Sequence, residues 1–139
     1  MKPANLLSWI LQLAASAVLI MAATGKLMSR AESVATFQQL DFDPGGRYLI
    51  GALELVAALL LLVPQSIVWG AVLGWGIMTG ALIAHCSRLG FQSDTGPTGF
   101  MAAAVWICCT MVIFLRRKQS QSLRRMFARS DDEGRSDAP

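Results

Sequence analysis

Three ionisable side chains lie within or at the ends of apolar segments, where little water is expected. Glu54 is a charged residue within an apolar block, Lys26 follows the end of another block, and His85 follows the end of a third. A carboxylate inside a membrane span is costly unless it is paired, protonated or turned towards a polar cavity. These three residues are therefore the candidate buried polar cluster, and we expect Lys26 and Glu54 to point into the same part of the molecule.

A simpler interpretation assigns these residues no chemistry. Lys26 and Arg47 would then be interfacial charges that reach towards lipid headgroups, His85 would be a loop residue, and Glu54 would only join two helices. A buried ion pair adds little stability, because desolvation offsets its Coulomb attraction. For Glu54 we favour a functional or bundle-organising role, and Arg47 is a candidate supporting residue.

The cysteines give little support for redox chemistry. Cys86 is the one thiol expected to be exposed, and it is a second candidate supporting residue beside the cluster. Cys108 and Cys109 are adjacent, so in a helix their side chains point about 100° apart, and we interpret them as small packing residues. One histidine cannot supply the ligands that metal or haem centres need, so no metal site is predicted.

Four apolar blocks must position these residues. The chain has 139 residues, of which 54% are hydrophobic and 15% charged, and this composition is too apolar for a soluble protein. The blocks predict spans at about residues 5–24, 45–63, 67–84 and 98–115, close to the length of about 20 residues that a span needs. A cleaved signal peptide is the alternative for the first block, but its apolar stretch exceeds the usual core of about 7–15 residues.

We therefore predict an all-α protein, a transmembrane four-helix bundle formed by residues 1–118. Residues 119–139 are predicted to form a basic and then disordered tail. The pattern of small residues also predicts close helix packing within one subunit, through Gly70 with Gly74 and Gly76 with Gly80 in the third span.

The distribution of basic residues predicts that both termini are cytoplasmic. Positively charged segments resist translocation, so the basic segment after the last span is expected inside. Residues 26–47 carry as many acidic as basic side chains and are expected outside. Trp9 and Trp69 at the inner ends, and Tyr48 and Phe100 at the outer ends, agree with this orientation. The basic residues after the last span are Arg116, Arg117, Lys118, Arg124, Arg125 and Arg129.

The connections have different characters. Residues 31–40 carry apolar side chains at helical spacing, which predicts a short helix over the outer mouth of the bundle. Residues 90–99 are typical of an irregular loop. The basic tail lies beside the membrane, so we expect anionic lipid headgroups rather than nucleic acid as its partner, and Leu123, Met126 and Phe127 would give it an apolar side that meets lipid. A solvated tail that only enforces the topology is the alternative.

Several short motifs, in this order, resemble those of the DoxX-like family of four-helix integral membrane proteins. They are Gly25-Lys26 closing the first span, Gly51 and Glu54 in Gly51-Ala52-Leu53-Glu54-Leu55-Val56, and His85 in Leu82-Ile83-Ala84-His85. The resemblance covers about residues 5–115. Ala57 and Ala58 stand where a glycine is often found in the family, which leaves the polar positions unaffected.

The resemblance implies an accessory membrane subunit, in the cell (inner) membrane, of a quinone- or thiol-linked redox system. A redox partner protein and a quinone are the partner and cofactor that this implies, while the isolated chain is not expected to be an enzyme. Two alternatives remain open: a non-enzymatic assembly or anchoring factor, and a small carrier of protons or solutes in which Glu54 titrates.

Overall fold

The computed structural model describes residues 3–89 and 99–116, and every regular element in these ranges is helical. Helix α1 covers Pro3–Leu27, α2 covers Ala31–Gln39, α3 covers Gly45–Leu62, and α4 covers Ile67–Ala84. A π-helical turn, His85–Leu89, continues α4 directly. Helix α5 covers Gly99–Arg116. The predicted all-helical class is confirmed.

Four of these helices are long and apolar enough to cross a membrane. They are α1, α3, α4 with its π-helical turn, and α5. Such helices imply contact with a lipid bilayer, because their apolar side chains are largely exposed on the outside of the bundle. The four-span prediction is thereby confirmed, while the orientation in the membrane remains a prediction. Residues 90–98 of the predicted loop 90–99 and the tail at 119–139 lie outside the described residues, whereas Gly99, the last residue of the predicted loop, begins α5.

The boundaries of the helices follow from local chemistry. Pro3 opens α1, where the missing N–H of proline removes no helical hydrogen bond. At the end of α3, Val63 has an extended backbone with φ −90° and ψ 118°. Pro64 accounts for this, because a proline disfavours the helical conformation in the residue before it. The turn before α4 is consequently short.

The core lies where α1, α3, α4 and α5 meet. Leu19, Leu61, Val105 and Val112 are almost fully buried there. At Gly70, a Cβ would lie 2.6 Å from the backbone nitrogen of Leu61, so α3 and α4 are in close backbone contact. The close packing of α3 against α4 therefore requires a residue without a side chain at this position.

Helices α4 and α5 also meet through aromatic side chains. The rings of Trp75 and Trp106 have centroids 5.9 Å apart. Trp106 Nε1 donates a hydrogen bond to Thr79 Oγ1 at 3.0 Å, which satisfies the indole N–H inside the bundle. Both tryptophans thus contribute to helix packing.

Candidate functional site

Lys26 and Glu54 form a salt bridge between the last turn of α1 and the middle of α3. Lys26 Nζ lies 2.9 Å from both carboxylate oxygens of Glu54. The Glu54 side chain is 3% exposed and that of Lys26 is 17% exposed. Burial strengthens the attraction between the two charges and also raises the cost of removing either one alone.

A close approach of α1 and α3 brings this pair together. Gly51 lies one turn before Glu54, and a Cβ there would be 3.1 Å from Lys26 Cβ and 3.2 Å from Leu27 Cγ. The stem of Lys26 therefore lies directly against the backbone of α3. Because it is held there, the ammonium group reaches the carboxylate rather than the surface.

Arg47 is buried and binds the backbone that carries Lys26. Its Nη1 donates hydrogen bonds to the carbonyl oxygen of Lys26 at 2.5 Å and to Ser29 Oγ at 2.8 Å. Its Nε donates to Asp43 Oδ1 at 2.6 Å, and its guanidinium carbon lies 4.4 Å from the centre of the Tyr48 ring. Arg47 thus joins the end of α1, the connection after α2, and the start of α3.

Two further residues singled out from the sequence lie in the π-helical turn after α4. His85 is buried and lines the same cavity as Lys26 and Glu54. Cys86 is exposed and stands outside the lining of that cavity. His85 and Leu89 are the buried residues of this turn. π-helical turns of this kind often occur at functional sites.

The cavity has a volume of about 440 Å³ and an apolar wall. All five helices and the π-helical turn contribute to the wall, and α2 covers it with Phe37, which is buried. The cavity is partly open, with exposed residues such as Met21 and Gly80 at its edges. Glu54 and His85 are the buried polar side chains in its wall, and Lys26 is partly buried beside Glu54. The arrangement suits an apolar molecule with a small polar head.

Gly76 and Gly80 have a different role from the one expected. A Cβ at either position would meet nothing within 4 Å, whereas Gly70 and Gly74 do contact neighbouring helices. Both Gly76 and Gly80 line the cavity. Only the first of the two predicted small-residue pairs therefore packs helices together within the subunit.

A second polar group, missed by the sequence analysis, lies towards the other end of the bundle. We call Ser8, Gln12, Ser16 and Arg116 the Ser8 cluster, and all four are buried. Ser8 Oγ accepts hydrogen bonds from Gln12 Nε2 at 2.6 Å and from Arg116 Nε at 2.9 Å. Ser16 Oγ donates to the carbonyl oxygen of Ala58 at 3.3 Å. The spacing of polar residues four apart within an apolar helix was the available signal.

The remaining cysteines pack as expected. Cys109 is fully buried, with its sulfur against Gly74, and Cys108 is half-buried. Among the described residues, no group of three or more His, Cys, Asp and Glu side chains has an arrangement that could hold a metal ion.

A family model described as the DoxX-like family matches residues 10–114, which is most of the chain and includes the greater part of each of the four spanning helices. Comparisons with curated proteins and with solved structures find no match. The matched segment includes Lys26, Glu54 and His85.

Proposed function

Because this chain belongs to the DoxX-like family, we propose that it is an accessory membrane subunit of a quinone- or thiol-linked redox system. In this role the chain holds a lipid-soluble molecule, with a quinone as the first candidate, and presents it to a partner protein. The observation that carries the proposal is the apolar cavity with the Lys26–Glu54 pair in its wall.

The residues of the cavity fit a quinone. Its volume of about 440 Å³ lies within the usual range of about 300–1,000 Å³ for small-molecule sites. A lysine ammonium has three N–H donors, and contacts with Glu54 use two of them, which leaves one for a quinone oxygen. When bound, a quinone supplies reversible transfer of electrons and protons, whereas Lys26 and His85 bind and orient its head.

The packing of the core favours binding over proton conduction. Leu19 and Ala57 are fully buried and lie, along α1 and α3, between the Lys26–Glu54 pair and the contact of Ser16 with Ala58. An apolar, tightly packed layer is a poor route for a proton between the two groups. The cavity is thus better suited to hold a ligand than to pass protons to the other end of the bundle.

The assembly or anchoring alternative is favoured by a different observation. Arg47, Lys26 and Glu54 connect α1 to α3 through several hydrogen bonds, which is what a purely structural cluster would do. In that case a neutral amide at position 54 would still bond between the helices, and no function would depend on the charge.

The test is the variant Glu54→Gln, purified in lipid nanodiscs. Glutamine has nearly the same shape, and Lys26 is close enough to the helix end to turn towards the headgroups, so insertion and yield should be unchanged. Binding of a short-chain ubiquinone, followed by fluorescence titration, should weaken at least about tenfold because Lys26 is no longer held at the cavity. Recovery of a copurifying partner should fall in parallel. Full ubiquinone binding and full partner recovery by Glu54→Gln would refute the proposal.

Combination with Lys26→Met provides the control for coupling. If the two residues act as one unit, the double variant should bind no worse than the weaker single variant. Independent contributions would instead add, with the double variant losing the sum of both effects.

A further inference from the structure

The polar end of the cavity carries two opposite charges that neutralise each other. Lys26 Nζ is shared between both oxygens of Glu54, and both side chains lie in the cavity wall. Arg47 is committed to Asp43, Ser29 and the carbonyl oxygen of Lys26. A second carboxylate, Glu32 of α2, also lines the cavity, but its side chain is exposed. Lys26 and Arg47 thus each have an acidic partner, so neither offers an unpaired positive charge, and His85 is a further polar side chain in the cavity wall.

This pairing has opposite consequences for different ligand heads. An uncharged oxygen can accept the remaining N–H of Lys26 while the salt bridge stays intact. An anionic head would compete with the Glu54 carboxylate for the same ammonium group, and two like charges would then lie close together in an apolar site. A cationic head would compete with Lys26 in the same way.

We propose that the cavity selects lipid-soluble molecules with an uncharged, oxygen-bearing head and excludes anionic amphiphiles, with Glu54 as the specificity-determining residue. This inference rests on the proposed function, since it assumes that the cavity binds a ligand. Quinones, quinols and long-chain alcohols share the selected chemistry, whereas ionised alkyl acids and sulfonates belong to the excluded class.

The proposal predicts that one substitution changes the preference. In Glu54→Gln, Lys26 has lost its partner and is free to turn towards the headgroups, but an anionic head in the cavity can attract its ammonium group back and supply the missing countercharge. Affinity for an uncharged head should fall, because Lys26 is no longer held in place, while affinity for an anionic head should rise. A gain of binding cannot be explained by partial unfolding of the variant.

The experiment uses the full chain in nanodiscs of zwitterionic lipid and three probes. Hexadecanol and hexadecanesulfonate have the same tail and differ in the charge of the head, and a short-chain ubiquinone tests the quinone separately. Native mass spectrometry measures each dissociation constant. The unsubstituted chain should bind hexadecanol at least about tenfold more tightly than the sulfonate. Glu54→Gln should bind the sulfonate at least as tightly as the alcohol.

Glu32→Gln is the matched control. It removes a negative charge from the same cavity wall, but Glu32 is exposed and the pair with Lys26 is left intact. Its preference should match that of the unsubstituted chain. A reversed preference in Glu32→Gln would show that net charge, rather than the pairing of Lys26, sets the selectivity and would overturn the assignment to Glu54.

The remaining outcomes separate the two proposals. If the unsubstituted chain binds ubiquinone but binds alcohol and sulfonate equally, the selectivity is refuted while the proposed function stands. An unchanged preference in Glu54→Gln also refutes the role of Glu54. If the unsubstituted chain binds none of the three probes, the proposed function fails, and the selectivity fails with it.

Discussion

At the scale of single residues, the hydroxyl group of Ser8 connects two helices. It accepts hydrogen bonds from Gln12 and Arg116, two buried side chains on different helices. Gln12 Oε1, by contrast, has no hydrogen-bond partner among the described residues. The two residues are neighbours, yet their removal should have different effects, because a lost acceptor leaves buried donors unsatisfied.

We expect Ser8→Ala to lower the free energy of unfolding by about 1–3 kcal/mol, the usual cost of an unsatisfied buried polar group. Gln12→Met should be close to neutral, since it removes a partnerless acceptor together with one hydrogen bond. Thermal unfolding in one detergent, with both variants compared to the unsubstituted chain, gives the measurement. A larger loss of stability in Gln12→Met than in Ser8→Ala would contradict this explanation of the Ser8 cluster.

At the scale of helices, the glycines of α4 divide into a packing pair and a cavity pair. Gly70 faces backbone atoms, and a Cβ there would lie 2.6 Å from Leu61 N and 2.9 Å from the carbonyl oxygen of Ala57. Backbone cannot move aside as a flexible side chain can, so α3 and α4 would have to separate. Gly76, on the same helix, faces open space.

Gly70→Ala should therefore destabilise the bundle by about 1–3 kcal/mol, the typical cost of overpacking a close helix contact. Gly76→Ala is the matched control, because it makes the same chemical change on the same helix. It should leave the melting temperature unchanged or raise it, since alanine favours a helix by about 1 kcal/mol over glycine. Equal melting temperatures for the two variants would show that α3 and α4 are not in backbone contact at Gly70.

At the scale of the whole molecule, the orientation in the membrane decides which compartment the cavity faces. If all four candidate helices of the described residues span the membrane, the start of α1 and the end of α5 lie on the same side. The basic residues after α5 predict that this side is the cytoplasm, in a cell (inner) membrane, and they are also the expected contact for anionic lipid headgroups. The α2 side of the cavity would then face outwards.

Reporter fusions test this orientation. A fluorescent protein that folds only in the cytoplasm should be active when fused after Leu115, and a phosphatase that is active only outside should work when inserted after Ala35. Each reporter placed at the other position serves as the control and should be inactive. An active phosphatase after Leu115 would reverse the orientation and place Lys26, Glu54 and His85 towards the cytoplasm.

The sequence by itself determined which segments are apolar enough to span a membrane and in what order they follow one another along the chain. Mean hydropathy over a span depends on composition alone, so the four spans follow without coordinates, and the family model likewise matches the sequence itself. The antiparallel order of the first two spans also predicted that Lys26 and Glu54 lie towards the same end of the bundle. Depth along the membrane is therefore readable from residue numbers, because each helical residue adds about 1.5 Å.

Only the tertiary structure decided how each helix is rotated and what it touches. That Arg47 is buried against the carbonyl oxygen of Lys26, and that Arg116 reaches Ser8, depends on contacts between distant parts of the chain. It is likewise only in the structure that Gly70 packs against α3 while Gly76 lines the cavity. Rotation is set by the fit of side chains on facing helices, and a pattern along one helix does not contain the shape of its neighbours.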